Sequence, residues 1–246
     1  MIFETPEAVA HAQAEIIVRD AREAIAEHGT FSIALAGGST PKATYSLLAS
    51  DLFRNQIDWE HVCVFFGDER CVPPNDAQSN FLMASQTLLN HVPIPLSNIH
   101  RIRGEDEPLD AASAYAKQLH ALFGPVPKLD LVLLGMGPDG HTASLFPGVD
   151  PLVDNEKLAR AVYANSFSMW RITLTPLVFN AARHVLFAVT GTEKRDALRA
   201  VQTGNADPTR YPASVIVPAT GTLSWLVDRA AGGEDSAPTL THTQVH

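Results

Sequence analysis

The chain has 246 residues, 46% of them hydrophobic and 18% charged, with a formal net charge of −9 at pH 7 when histidine is neutral. This length allows one large domain or two small ones, and a domain of this size buries enough surface to need no disulfide or metal staple. The acidic balance argues against a nucleic-acid surface, which requires a basic field, and no apolar run approaches the ~18 residues that span a bilayer.

The N-terminal stretch Met1-Ile2-Phe3-Glu4-Thr5-Pro6-Glu7 lacks the basic region and apolar core of a signal peptide. The only cysteines are Cys63 and Cys71, without the paired spacing of a zinc site. Reduced thiols, no structural metal and a cytoplasmic location are therefore expected. Residues 7–28 read as an amphipathic helix, with Val9, Ile16, Ile17, Ala24 and Ile25 on one face and Gly29 just past its end. Phe31–Ala36 reads as a strand, Pro41–Ser50 as a helix and His61–Phe66 as a second strand. Ala77–Asn90 and Asp110–Phe123 read as helices, joined by the proline-containing segment Val92–Pro108. Leu129–Leu134 is a third strand, and Lys157–Tyr163 and Trp170–Leu174 are two more. Pro176–Ala182 reads as a short helix, His184–Thr190 as a strand, Glu193–Thr203 as a helix and Ser224–Val227 as a last strand. Strands alternating with helices predict an α/β fold with a parallel sheet. Near-continuous apolar strands such as Leu131–Leu134 predict helices on both of its faces. No repeat or linker interrupts the pattern, so one domain is expected over 1–231. Residues 232–246, rich in Gly, Ser, Thr and Pro, read as a flexible tail.

In such sheets ligands bind beyond the carboxyl ends of the strands, and the polar motifs fall there. After Leu131–Leu134 comes Gly135-Met136-Gly137-Pro138-Asp139-Gly140-His141-Thr142. Its three glycines have the spacing of a dinucleotide-binding loop. That loop opens a long crossover helix, whereas Pro147-Gly148 closes this segment a few residues on. Asp139 and His141 are groups for proton transfer instead, and in an extended loop residues two apart would face one side. The first strand ends at Gly37-Gly38-Ser39-Thr40-Pro41-Lys42. Thr40 is read as the N-cap and Pro41 as the first helical residue, with glycines that let an anion approach free N–H groups. The second strand ends at Gly67-Asp68-Glu69-Arg70, where charges normally mark a solvated loop and Arg70 is a candidate anion clamp. Arg171 and Lys194, in Gly191-Thr192-Glu193-Lys194, are further candidate cations. A serine-nucleophile triad lacks support, because no Gly-x-Ser-x-Gly elbow is present. His61, His91, His100, His120 and His184 lack a comparable setting and are expected to be structural or solvent-facing.

Taken together, Gly37–Pro41, Phe66–Pro73, Ser79-Asn80, Leu133–Gly148, Arg171–Thr175 and Gly191–Lys194 resemble the 6-phosphogluconolactonases in content and order. The resemblance implies a Rossmann-like sheet shared with glucosamine-6-phosphate deaminases and ribose-5-phosphate isomerases. It implies hydrolysis of 6-phospho-D-glucono-1,5-lactone to 6-phospho-D-gluconate in the oxidative pentose phosphate pathway, without metal or organic cofactor. The partner is then a phosphorylated sugar lactone, with no nucleic acid or membrane, and the protein a monomer or small homo-oligomer. His141 is assigned as general base and Asp139 as its orienting partner. Arg70, Arg171 and Lys194, with Gly37, Gly38, Ser39 and Thr40, would hold the phosphate or the developing oxyanion. Asp68 is either a proton-transfer base, as the matching deaminase acid is, or a support for Arg70. The alternatives are a glucosamine-6-phosphate deaminase and a non-catalytic sugar-phosphate-binding protein. Deaminases place an acid after the block's histidine, where this chain has Ser144-Leu145-Phe146-Pro147.

Overall fold

The computed structural model describes residues 1–148 and 156–233. Most of the segment read as a tail, 234–246, lies outside the described residues. Helix α1 (Pro6–His28) begins where the Thr5 side chain accepts a hydrogen bond from the Ala8 N–H at 3.3 Å, and it ends at Gly29 with φ +85°. Strands β2 (Phe31–Leu35), β3 (Val62–Phe66), β5 (Leu131–Leu134), β8 (His184–Val189) and β9 (Thr222–Asp228) follow the apolar runs. With the two-residue β1 (Ile2–Phe3) they form a six-stranded sheet in the order β1-β9-β8-β5-β2-β3. Every pairing in it is parallel. The short β1, which lies alongside Val227-Asp228, carries no readable periodicity in the sequence.

Both faces of the sheet are covered, as the apolar runs predict. Ile17 of α1 and Leu48 of α2 (Ser39–Leu48) line one side with Phe31, Ile33 and Leu35. On the other side Phe65 meets Phe123 of α4 (Pro108–Phe123), with ring centroids 5.4 Å apart. Residues 135–148 after β5 form no helix, so the glycine loop does not open a dinucleotide-binding crossover helix.

Two expectations need correction. Asp68-Glu69-Arg70 is not a solvated loop but strand β4 (Asp68–Arg70). It joins β7 (Met169–Leu174) and β6 (Ala159–Ala164) in a second, antiparallel sheet ordered β4-β7-β6. The three charges hide the strand because the partners of Asp68 and Glu69, and the Gln78 carbonyl that accepts from Arg70, are supplied by distant parts of the fold. The helix expected over 77–90 starts only at Asn80, where Ser79 accepts from the Leu82 N–H, and α3 (Asn80–Ala84) then widens into a π turn to Leu89. Helices α5 (Pro176–Ala181), α6 (Arg195–Gln202) and α7 (Arg229–Gly232) complete the described chain. No helix among the described residues is long and apolar enough to cross a membrane.

Candidate active site

Because all six strands run the same way, the residues after Leu35, Phe66, Leu134 and Val189 emerge at one edge of the sheet. The loop after β5 presents the acid–histidine pair. His141 Nδ1 lies 2.6 Å from Asp139 Oδ1, and the His141 N–H donates to the same oxygen at 3.2 Å. The sequence reading relied on an extended loop, and the structure corrects this. The pair meets through a tight turn in which the Gly140 N–H donates to Gly137 O at 3.0 Å and the Gly137 N–H to His141 O at 2.8 Å. Partial burial pushes the Asp139 carboxyl up, but the hydrogen bonds from His141, and the ring's charge whenever it is protonated, outweigh it, so the group lies below the usual carboxylate range. An ionised carboxylate only accepts, so Nδ1 donates and the neutral ring keeps its lone pair on Nε2.

Gly137 is required for this arrangement. A Cβ there would overlap the His141 ring and come within 2.6 Å of Asp139 Oδ1. Gly137→Ala should therefore separate the pair and lower kcat by about 10²-fold, the low end of a general base's contribution. The melting temperature should fall only modestly, since the groups displaced, the His141 ring and the Asp139 carboxylate, are themselves partly exposed. Steady-state kinetics beside a thermal melt checks this, and full activity in a folded variant would show that the pair tolerates rearrangement.

A chain of hydrogen bonds ties this loop to the other strand ends. Ser144 Oγ donates to Asp68 Oδ2 at 2.6 Å, and Asn80 Nδ2 donates to Asp68 Oδ1 at 3.1 Å. Gly37 packs directly on the Asn80 amide, where any Cβ would collide. Asp68 is only 6% exposed and its oxygens are engaged, so it joins β4 to the His141 loop. Glu69, on the opposite side of the strand, is 2% exposed. It accepts from the N–H groups of Arg70, Asn80 and Phe81 at 2.7–2.8 Å and from Ser79 Oγ at 3.0 Å. Burial pushes its carboxyl up against the pull of those three N–H groups. Asn80, Ser144 and the anchoring role of Glu69 escaped the sequence reading. The signal for Ser144 and Asn80 was present only as motif membership.

The cations gather on the small sheet. Arg70 and Arg171 occupy directly opposed register positions of β4 and β7. Like charges so placed repel. Burial, and then Arg70 beside it, pulls the Arg171 guanidinium below its usual pKa. Arg171 is 7% exposed, and the Nε atoms of both arginines are buried without a hydrogen-bond partner among the described residues. Arg70 Nη1 donates to Gln78 O at 2.6 Å, which holds its stem. Arg171 lies against the Phe167 ring, 4.9 Å from its centroid, and that ring is 6.4 Å from the His141 ring. The structure thus brings Arg70, Arg171 and Asp68 to the side of the site where His141 stands.

The loop after β2 differs from its reading in one respect. Thr40 is not the N-cap: α2 begins at Ser39, and Gly38, at φ +109°, is the cap. Gly38 makes no side-chain cap, so the first N–H groups of α2 have no such partner. Thr40 Oγ1 instead lies 2.9 Å from Thr190 Oγ1 and links this loop to the end of β8. Lys194 follows on that strand end, at the cap position of α6, with Nζ 3.8 Å from Glu193 Oε1. The five histidines expected to be structural or solvent-facing are so placed, with His120 exposed. His184 is held between Asp20 and Ser224, His100 stacks on Phe65, and His61 and His91 make surface contacts. Cys71 offers no alternative nucleophile, because burial pushes its thiol up to about 11. Among the described residues no group of three His, Cys, Asp or Glu side chains is placed to hold a metal ion.

A doubly covered α/β sheet with an acid–histidine turn at its carboxyl edge and paired arginines beside it can move a proton next to a bound anion. Residues 4–225 match the family described as glucosamine-6-phosphate isomerases/6-phosphogluconolactonase, and the chain belongs to that family. It is 42% identical over 225 residues to a 6-phosphogluconolactonase of Nostoc sp., a match covering 89% of this chain and 91% of the relative. A solved 6-phosphogluconolactonase from Trypanosoma brucei superposes with a TM-score of 0.83 at 31% identity, covering 94% and 96% of the two chains. A monomeric glucosamine-6-phosphate deaminase superposes with a TM-score of 0.80 at 20% identity, covering 94% and 97%, and shares the fold.

Proposed function

We propose that this protein is a 6-phosphogluconolactonase, a carboxylic ester hydrolase that opens 6-phospho-D-glucono-1,5-lactone in the oxidative pentose phosphate pathway. The carrying observation is the oriented Asp139–His141 pair beside Arg70 and Arg171, whose mutual repulsion an anion would offset. The family and the lactonase relatives support the same reading. A water molecule attacks the lactone carbonyl carbon while His141 Nε2 takes its proton. The tetrahedral oxyanion collapses, the ring C–O bond breaks, the ring oxygen takes the proton back from His141, and the new carboxylic acid releases its remaining proton to solvent, leaving the carboxylate product. Arg70, Arg171 and Lys194, with Gly37, Gly38, Ser39 and Thr40, hold the phosphate and the developing negative charge. Asp68 serves as a support, since Ser144 and Asn80 already occupy its oxygens. The reaction as written uses no cofactor, and the cytoplasm is its proposed location.

The deaminase reading is disfavoured because Ser144-Leu145-Phe146-Pro147 supplies no acid after His141, and Ser144 is fully buried on Asp68. One assay separates the three readings. Purified protein with a chelator and no nicotinamide cofactor should accelerate proton release from fresh 6-phosphogluconolactone above its spontaneous opening. Ammonia release from glucosamine 6-phosphate would instead establish the deaminase. Binding of both compounds without turnover would establish a non-catalytic binder.

A further inference from the structure

The β6–β7 hairpin carries an aromatic side chain that neither the core nor the proposed chemistry uses. Its turn, Asn165–Phe167, ends at Ser168, a non-glycine residue in the left-handed region at φ +48°. Such a conformation is uncommon for a side chain with a Cβ and marks a turn held by its surroundings. Phe167 is 51% exposed, so burial does not account for its position. Its ring nevertheless makes three directed contacts. It lies 4.9 Å from the Arg171 guanidinium carbon, 5.9 Å from the Phe146 ring and 6.4 Å from the His141 ring. Phe146 closes the group at 5.0 Å from His141.

The contact with Arg171 has a specific physical consequence. A guanidinium attracted to a ring face is held against it by the ring quadrupole. The charged group then has little freedom to swing away from its neighbour Arg70, although the two repel. The Nε atoms of both arginines are buried and form no hydrogen bond among the described residues, so neither guanidinium is tied down at that atom. Phe167 thus works against the electrostatic tendency of the pair to separate, and it does so from a turn at the rim of the site.

We propose that Phe167 is a positioning residue that holds Arg171 in place for the anionic group of the substrate. The inference rests on the functional reading above in taking that anion to be a phosphorylated sugar acid or lactone. It predicts a dependence on ring character and not on apolar volume. Phe167→Tyr keeps the ring, whereas Phe167→Leu keeps bulk but loses the quadrupole. Phe167→Leu and Phe167→Ala should each raise KM for the lactone, and Kd for 6-phosphogluconate, about 10-fold, within the range of a partly desolvated cation–π contact. Their kcat should stay within about 3-fold of wild type, because Asp139 and Phe146 still hold the His141 ring, and Phe167→Tyr should match wild type in both constants. Removing the ring also opens Arg171 to solvent, so Kd in the alanine variant should rise more steeply between about 50 and 500 mM KCl.

The experiment is calorimetric titration of the full chain with 6-phosphogluconate at two salt concentrations, beside lactone kinetics, for wild type, the three Phe167 variants and Arg171→Ala. A leucine variant equal to wild type would reduce Phe167 to a space filler and overturn the proposal. So would an alanine variant with unchanged Kd while Arg171→Ala binds weakly. A wild-type protein that neither opens the lactone nor binds the product would overturn the functional reading instead.

Discussion

Replacing His141 by glutamine should lower kcat by about 10²–10⁴-fold, the usual contribution of a positioned general base. Glutamine retains a polar side chain of similar reach but cannot take up a proton. The arginines and Lys194 are untouched, so affinity for 6-phosphogluconate should remain close to wild type. The loop is partly exposed, so the fold should persist with little change in melting temperature. In the wild type kcat should fall as pH drops, because a protonated ring has no lone pair on Nε2. Asp139 lies below the usual carboxylate range and stays ionised through this change, so it continues to hold Nδ1. Stopped-flow proton release on fresh lactone, corrected for spontaneous opening at each pH, reads both effects. Near-wild-type kcat in the folded variant would remove His141 from the chemistry.

Glu69→Ala should be the most damaging change to the fold among the motif residues, although Glu69 sits between two charged neighbours in the sequence. Its carboxylate accepts the N–H groups of Asn80 and Phe81 and the Ser79 hydroxyl at the start of α3, together with the N–H of Arg70 in its own strand. Alanine would leave those buried donors without partners, and each such group costs roughly 1–3 kcal/mol. Allowing for water entering the space, a loss of about 3 kcal/mol is expected. For a chain of this size that corresponds to a fall in melting temperature of about 6–12 °C. Because α3 also places Asn80 on Asp68 and Gly37, KM should rise as well. Thermal melts with and without 6-phosphogluconate measure this, and a variant melting within about 2 °C of wild type would show that Glu69 is not an anchor.

The contrast between Asp139 and Glu69 shows what sequence can convey about a site. Asp139 and His141 were legible because they are two residues apart and sit in a glycine-rich turn after an apolar strand. Their interaction is local, so nearby residues dictate the pairing, although it is made through a tight turn and not the extended loop that the sequence predicts. Glu69 acts across 11 and 12 residues, on Asn80 and Phe81, and nothing in its own neighbourhood separates a buried anchor from a solvated charge. The antiparallel sheet was lost for the same reason. Its outer strand, β4, is three charged residues whose burial depends on β7, a hundred positions away. Thr40 was misread as a cap because its actual partner, Thr190, is equally remote.

By itself, then, the sequence determined the alternation of strands and helices, the parallel sheet covered on both faces, the placement of the motifs at strand ends and the pairing of an acid with a histidine. Each of these follows from periodicity or short spacing, which hydrophobic patterning and turn chemistry dictate locally. Tertiary structure alone decided that Arg70 faces Arg171, that Asp68 is bound by Ser144 and Asn80, and that Phe167 lies on Arg171. Apart from the last, which lies within one hairpin, those contacts join residues from about a dozen to about a hundred positions apart. Sheet register and burial bring them together, and neither is set by the residues beside them in the chain.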